Sequence, residues 1–440
     1  MKTIPQLYDI LQSCEGISTD TRKIKPNSLF FALKGENFNG NLFAKEALQK
    51  GAKYAIIDED LENTENTIPQ NCILVENVLE TLQKLANYRR KQFAIPFVAI
   101  VGSNGKTTSK ELIKAVLATK YKTYSTEGNL NNHIGVPITL LNMPADTEIA
   151  VIEMGANHIG ENATLCLFAE PTHGVVTNVG YDHLEGFGNI ENVCKAQVEL
   201  YDFLVKNNGI VVANSTDLML ADAVKSRFSN EKICWYGKQN NYVHLQIVEA
   251  NPFVCYQDSQ NRQIQTKLIG TYNLPNIMVA LSFAKLFEIP IELAHEAVAS
   301  YIPSNNRSQF IEKNGYKIIS DAYNANPSSM EAALENFAAL KTLHKTAIIG
   351  DMFEMGEESL AKHQEIIDFA QKLDIHQILV CGKDFYQVRQ AKQLLDNDFC
   401  LFFETKTSLQ HWIQANPLPK GYILLKASRG IGLETILQHL

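Results

Sequence analysis

The sequence contains no uninterrupted apolar run approaching the ~20 residues that a membrane-spanning helix needs. Its first segment, MKTIPQLYDILQSCEG, also lacks the long apolar core of a secretory signal. Both absences point to a soluble, cytoplasmic protein without membrane insertion. Close cysteine pairs are missing as well. Cys14, Cys72, Cys166, Cys194, Cys234, Cys255, Cys381 and Cys400 are scattered, without the spacing of a zinc knuckle or a redox motif, so reduced core cysteines are expected. Basic residues are not in excess. Forty Lys and Arg against 48 Asp and Glu leave a net charge of −8, which argues against a nucleic-acid partner. Neither short-period repeats nor low-complexity tracts are present.

What is present is a long globular sequence. At 440 residues with 45% hydrophobic content, it exceeds one ordinary core, and two to four domains are expected. The first 95 residues hold short strand-like runs, SLFFAL and YAIID, around a helical stretch, LFAKEALQKG, and predict a small α/β domain. The polar segment NYRRKQFAIP reads as a linker. From Phe97, the runs FVAIV, IAVIEM, GVVTNV and GIVVAN alternate with helical segments such as NVCKAQVELYDFLV. Apolar strands separated by helices predict a parallel sheet covered on both faces. Near Arg307 the cycle restarts with KIISDAY, TAIIGDM, HQILVCG and YILLKAS as strands. The expected fold class is therefore α/β in three domains: a small N-terminal domain over 1–95, a central P-loop parallel-sheet domain over 96–304, and a Rossmann-like doubly wound domain over 305–440.

The segment VGSNGKTTSKE, between the apolar run FVAIV and the helical ELIKAVLATKY, carries the strongest chemical signal. Gly102 and Gly105 let the backbone approach an anion, with Ser103 and Asn104 between them. Amides at the start of the next helix, around Lys106, Thr107 and Thr108, point at the anion, and the helix dipole adds to their effect. Lys106 brings a positive charge to the outer phosphates, and the Thr107 hydroxyl can hold Mg²⁺. The strict form of this loop has a glycine where this chain has Ile100, so the match is to a variant. The other reading is a purely structural turn.

Two further strand ends carry polar residues. IAVIEMGANHIGE places Glu153 at one, and VVTNVGYDHLEGFG places Asp182, His183 and Glu185 past another. Ligands of open parallel sheets gather at carboxyl ends of strands, so these loops should face the phosphate loop. Glu153 suits Mg²⁺ as a hard-oxygen ligand, and His183 is a second candidate. A solvated glutamate and a hydrogen-bonded structural histidine are the alternatives.

Together these segments resemble the Mur ligase family, ATP-dependent amide-forming enzymes of peptidoglycan synthesis. GTYNLPN, with Asn273 and Asn276, and LLKASRG near the C-terminus extend the resemblance over the whole chain. Within the family, STDTRKIKPNSLFFALKGENFNGNLFA (18–44), EGNLNNHIGVPITLL (127–141) and SDAYNANPSSM (320–330) resemble the member that joins D-alanyl-D-alanine to a UDP-N-acetylmuramoyl tripeptide. The resemblance implies ATP and Mg²⁺, an acyl-phosphate intermediate, those two small-molecule substrates and a monomer. It also implies roles. Lys106, Glu153, His183, Lys426 and Arg429 would serve catalysis, and Thr107, Glu153 and His183 would hold metal. Asn273 and Asn276 would contact adenine, and Arg307 the ribose or phosphates. Asp321, Tyr323, Asn324 and Asn326 would meet nucleotide and dipeptide. Ser18, Asp20, Thr21, Arg22, Lys34, Gly35 and Asn37 would hold the UDP-muramoyl end, with Asn129, Asn131 and Asn132 near its diphosphate or sugar. Ser428 would close onto the reacting groups. Turn chemistry is the alternative for the asparagine-rich strings. Other ligases of this architecture, such as folylpolyglutamate synthase, and a P-loop nucleotide switch are the rival functions.

Two positions depart from the family pattern. Gln197 falls where a carbamylated lysine commonly helps to hold a second metal, leaving Gln197 with water, Glu199 or Lys195 to substitute. Tyr272 stands where histidine is frequent. Three domains around one site also imply closure, with Pro303–Asn306 expected as part of the hinge.

Overall fold

The phosphate loop sits where the parallel sheet of the central region reverses its winding. The computed structural model describes residues 2–59 and 70–440. In it the central strands lie in the order Ile233–Tyr236, Ile210–Asn214, His173–Val176, Phe97–Val101, Ile149–Glu153, Thr123–Ser125, all parallel. Phe97–Val101 and Ile149–Glu153 are buried at every position, as strands covered on both faces must be. Alternate residues enter different cores. Phe97, Ala99 and Val101 face one layer, and Val98 and Ile100 the other. The second layer contains Lys106–Leu117 and the almost wholly buried helix Leu274–Leu286.

A second parallel sheet follows the same logic. Its order is Gln309–Lys313, Tyr316–Asp321, Tyr422–Lys426, Lys345–Gly350, Gln377–Cys381, Cys400–Phe403, with only the first pair antiparallel. Ile319, Ile349 and Leu424 face one core, and Ile318, Ile348 and Leu425 the other, so helices cover both sides. The N-terminal sheet is smaller: Ile17–Ser18, Leu29–Phe31, Tyr54–Ile57 and Cys72–Leu74, all parallel.

Two expectations change. NYRR is not linker but the last turn of the helix Val78–Arg90. Arg90 donates to the carbonyls of Ala169, Glu170 and Phe93 at 2.6, 2.8 and 3.0 Å, and its guanidinium lies 3.7 Å from the Phe97 ring centre. Those basic residues are polar because they bind carbonyls in a seam, not because they face solvent. Helices Ile4–Gln12 and Val78–Arg90 accordingly share one apolar core with the central sheet. The second change is an antiparallel sheet of Leu245–Ala250, Phe253–Asp258 and Gln263–Ile269, absent from the strands expected above. Its first strand is largely exposed and so carries no apolar run.

Candidate active site

Strand order brings the chemistry together. His173–Val176, Phe97–Val101 and Ile149–Glu153 are neighbours, so the loops beyond their carboxyl ends adjoin. The first of these, after Val101, cannot accept side chains at its glycines. Gly102 has φ 132°, and a Cβ there would lie 2.1 Å from Thr177 Oγ1 and 2.9 Å from the Thr177 amide nitrogen. Gly105 has φ 80°, and its Cβ would meet Asn276 Oδ1 at 2.5 Å. Lys106 opens the helix Lys106–Leu117, and its ammonium donates to the carbonyls of Gly102 and Ser103.

Glu153 ends its strand 1% exposed. Its carboxylate accepts from the Thr107 hydroxyl at 2.8 Å and from Asn131 Nδ2 at 2.9 Å. Lys110, missed in the sequence, is fully buried with its ammonium 3.8 Å from Glu153 and bonded to the Thr126 carbonyl at 2.7 Å. A lysine on the apolar face of a helix was the available signal. Past the third strand, Asn178, also missed, donates to the Asn104 carbonyl and accepts from its amide, holding the phosphate loop.

These loops form one wall of a cleft of about 870 Å³. Ser103 to Thr108, Asn129, Asn131, Asn132, Glu153, Asp182, His183, Asn273 and Asn276 line that wall. The opposite wall comes from the C-terminal sheet, with Arg307, Asp321, Tyr323, Asn324 and Lys426. Asp321 and Lys426 are register partners on adjacent parallel strands, so their side chains meet at 2.6 Å. Asp321 also accepts from the Ser308 amide, and Lys426 donates to the Asn324 carbonyl. Arg307 stacks 3.7 Å from the Tyr323 ring centre, and Arg429 lies 5.1 Å from the same ring. Asn326 caps the helix Pro327–Ala338 and reaches across to Asn104 at 3.0 Å and Asp182 at 3.3 Å. Tyr272 bonds Ser308 at 2.9 Å, and burial followed by the Asp321 charge drives its pKa well up.

His183 bonds Glu354 of the opposite wall through Nδ1, while Nε2 lies 3.7 Å from Asp182. Burial opposes its protonated form, but the Glu354 bond and the Asp182 and Glu354 charges outweigh it and hold the pKa above the usual value.

Several expected residues lie outside the cleft. Gln197 is buried, and its side-chain oxygen faces Asn162 Nδ2 at 3.4 Å. Glu199 accepts from the Gly160 and Ala163 amides at 2.5 and 2.8 Å, at the start of the helix Glu161–Ala169, and Lys195 bonds Asn192. None of the three lines the cleft, so the structure does not bring Gln197 to Thr107, Glu153 and His183. Ser428 is buried too. It accepts from the Phe353 amide at 2.9 Å and donates to the Ala325 carbonyl, so it braces a loop. Ser18, Asp20, Thr21, Arg22, Lys34, Gly35 and Asn37 do not line the cleft either. Asp20 binds Arg22, and Lys34 pairs with Asp58 and Glu59 at 2.9 Å each. Phe38, 58% exposed, is the strand partner of Gly35.

The metal candidates can be judged by their chemistry. Among the described residues no cluster of three His, Cys, Asp or Glu could hold a metal alone. Mg²⁺ at phosphoryl-transfer sites typically takes one or two carboxylates and completes its shell with phosphates and water. A buried carboxylate bonded to a phosphate-loop hydroxyl fits that habit.

Comparison with known proteins agrees with this geometry. Three family models match: "Mur ligase family, catalytic domain" over residues 13–90, "Mur ligase middle domain" over 100–284, and "Mur ligase, glutamate ligase domain" over 306–429. UDP-N-acetylmuramoyl-tripeptide–D-alanyl-D-alanine ligase of Bacillus subtilis (strain 168) is 33% identical over 433 residues, covering 97% of this chain and 93% of that protein. A crystal structure of MurF from Acinetobacter baumannii superposes with a TM-score of 0.84 at 27% identity, over 99% and 98% of the two chains. MurF from Thermotoga maritima in complex with ADP gives 0.83 at 26% identity, over 98% and 97%.

Proposed function

The chain belongs to the Mur ligase family, and from that premise we propose how its cleft works. It is an ATP-dependent ligase of peptidoglycan synthesis that joins D-alanyl-D-alanine to UDP-N-acetylmuramoyl-tripeptide. A carboxylate is a poor electrophile, so it first attacks the γ-phosphorus of ATP, and ADP leaves. The dipeptide's amine attacks the resulting acyl phosphate at carbon. The tetrahedral intermediate loses a proton and expels phosphate, leaving the new amide.

Little covalent chemistry falls to the protein; positioning and charge stabilisation carry the acceleration. The amides following Gly102 and Gly105 and the Lys106 ammonium cradle the β- and γ-phosphates. Asn273 and Asn276 border the adenine, and Arg307, held flat on Tyr323, meets ribose or phosphate. Thr107, Glu153 and His183 would hold Mg²⁺, which when bound neutralises phosphate charge. Asp321, Lys426, Asn324, Asn326 and Arg429 meet the nucleotide and the incoming dipeptide from the opposite wall. The UDP-muramoyl end meets residues of 18–37, where Lys34 would have to exchange Asp58 and Glu59 for the ligand's anion and the exposed Phe38 offers an apolar face. Residues 1–95, 96–304 and 305–440 act as three domains of a cytoplasmic monomer.

One observation carries this reading: a phosphate loop at one sheet's switch point faces the Asp321–Lys426 pair of a second sheet across a single cleft. Substrate omission tests it. ADP formation should require both UDP-muramoyl tripeptide and dipeptide, and Lys106→Ala should cost several kcal/mol of transition-state stabilisation, roughly 3 or more. Sustained ATP turnover without the dipeptide would instead indicate a nucleotide switch.

A further inference from the structure

His183 leaves the central sheet as a residue of left-handed backbone, φ 49°, and its partner Glu354 is left-handed too, φ 64°. Such conformations are uncommon for side-chain-bearing residues and gather where surroundings enforce them. The enforcement on Glu354 is visible. Its loop follows the strand Lys345–Gly350 and is fixed at three successive residues. Asp351 accepts from the amides of Asp384 and Phe385 at 3.1 and 3.0 Å. The Met352 amide donates to His363 Nε2 at 3.0 Å, and the Phe353 amide to Ser428 Oγ at 2.9 Å. Asp351, His363 and Ser428 are each 2% exposed or less. So buried a bracket serves to aim the next residue. Glu354 then crosses to the central wall twice, by its carboxylate to His183 Nδ1 and by its carbonyl to the Glu185 amide at 3.1 Å.

The geometry points to Glu354 as a positioning residue for His183, supplied by the C-terminal sheet, so that the metal site of the central sheet is complete only when the two walls meet. This rests on the reading of His183 as a metal ligand. A carboxylate on Nδ1 fixes the ring's orientation and its tautomer, leaving the Nε2 lone pair for a cation, as outer carboxylates do for ligating histidines generally. Here that carboxylate belongs to the other wall. Cation affinity therefore senses closure, and a bound cation favours closure in return, since the coupling is reciprocal.

The test is a titration of Mn²⁺ by electron paramagnetic resonance, with a non-hydrolysable ATP analogue on the full chain. Glu354→Ala should weaken Mn²⁺ binding about tenfold, the lower end for loss of such a partner. Glu354→Gln, which can still accept from Nδ1, should recover most of that loss. In a His183→Ala background, Glu354→Ala should change nothing further, and excess Mg²⁺ should rescue turnover by Glu354→Ala. Mn²⁺ affinity in Glu354→Ala within twofold of the parent overturns the inference. So does an undiminished effect without His183, which would make Glu354 a direct ligand or a structural brace. Failure of the parent protein to bind Mn²⁺ with the nucleotide analogue would overturn the metal reading itself.

Discussion

Replacing Lys426 by Met keeps the length of the side chain and removes its charge. The side chain is 3% exposed and its ammonium lies 2.6 Å from Asp321, whose side chain is 18% exposed. Orphaning one partner of a buried pair costs about 3–5 kcal/mol. Asp321 keeps the Ser308 amide at 2.9 Å and the Ser308 hydroxyl at 3.3 Å, so the lower end applies, about 3 kcal/mol. At ~2–4 °C per kcal/mol for a unit of this size, the C-terminal transition should fall by about 6–12 °C in calorimetry of the full, ligand-free chain. Removing the stranded carboxylate as well should help. Asp321→Asn with Lys426→Met should melt about 2–8 °C higher than Lys426→Met alone, a recovery of ~1–2 kcal/mol. If Lys426→Met melts within 2 °C of the parent, the pair is not the desolvated contact described above. If the double variant melts lower than the single, the partner carboxylate contributes by packing, and the electrostatic argument fails.

Gly102→Ala should retain the fold yet weaken a fluorescent ATP analogue by tenfold or more, since a strained φ alone costs ~1–3 kcal/mol and the new Cβ meets backbone that no side-chain change can move. Unchanged affinity would show that the loop has room it is denied here. His173, whose pKa burial and then the Lys232 charge push down to about 4, makes stability fall with pH. Between pH 6.5 and about 4 the unfolded chain binds a proton there that the folded chain does not, so acid favours unfolding. His173→Gln should flatten the fall of the melting midpoint across that window by up to one proton, ~1.4 kcal/mol per pH unit, and an identical pH profile would contradict it.

What could be read in the sequence follows the range of each interaction. The phosphate loop needs only a buried strand, glycines and a helix start, all within eleven residues, and it was legible. So was Glu153, because a carboxylate at the end of a fully apolar strand has no packing reason to be there. Side-chain destinations across the chain were less so. Ser428 and Arg429 adjoin in sequence, yet one turns inward to the Phe353 amide and the other outward to Tyr323. Gln197, expected near the second metal from the resemblance, instead packs on Asn162, which helix rotation decides and spacing alone does not. Glu354 gave no signal, since nothing in FEMGEE distinguishes a solvated glutamate from one that meets His183, 171 residues away. The segment Pro303–Asn306, expected as part of a hinge, carried a turn signal. Asn305, Asn306 and Ser308 all adopt positive φ, and two of the three are asparagine, the residue that tolerates it best.

The two walls also share an electrostatic design that neither shows alone. Lys106–Leu117 begins at the cleft, and so does Pro327–Ala338, whose Ser328 and Ser329 line the opposite side. Each helix start is the positive end of its dipole, although at Pro327–Ala338 Asn326 already accepts from the Ser329 amide. Lys106 and Arg307 add whole charges from the two sides. Asp321 neutralises Lys426 but not the others. Brought together without an anion, these positive ends repel; with a polyphosphate between them, each is attracted to the same group. A nucleotide bound there should add to the direct contacts of Glu354 with His183 and of Asn326 with Asp182, and closure should follow its charge. ATP should draw the walls together more strongly than ADP, because one more phosphoryl group lies between the two helix starts. Once phosphate departs with the new amide formed, that excess attraction is lost, so the site should open after chemistry and not before.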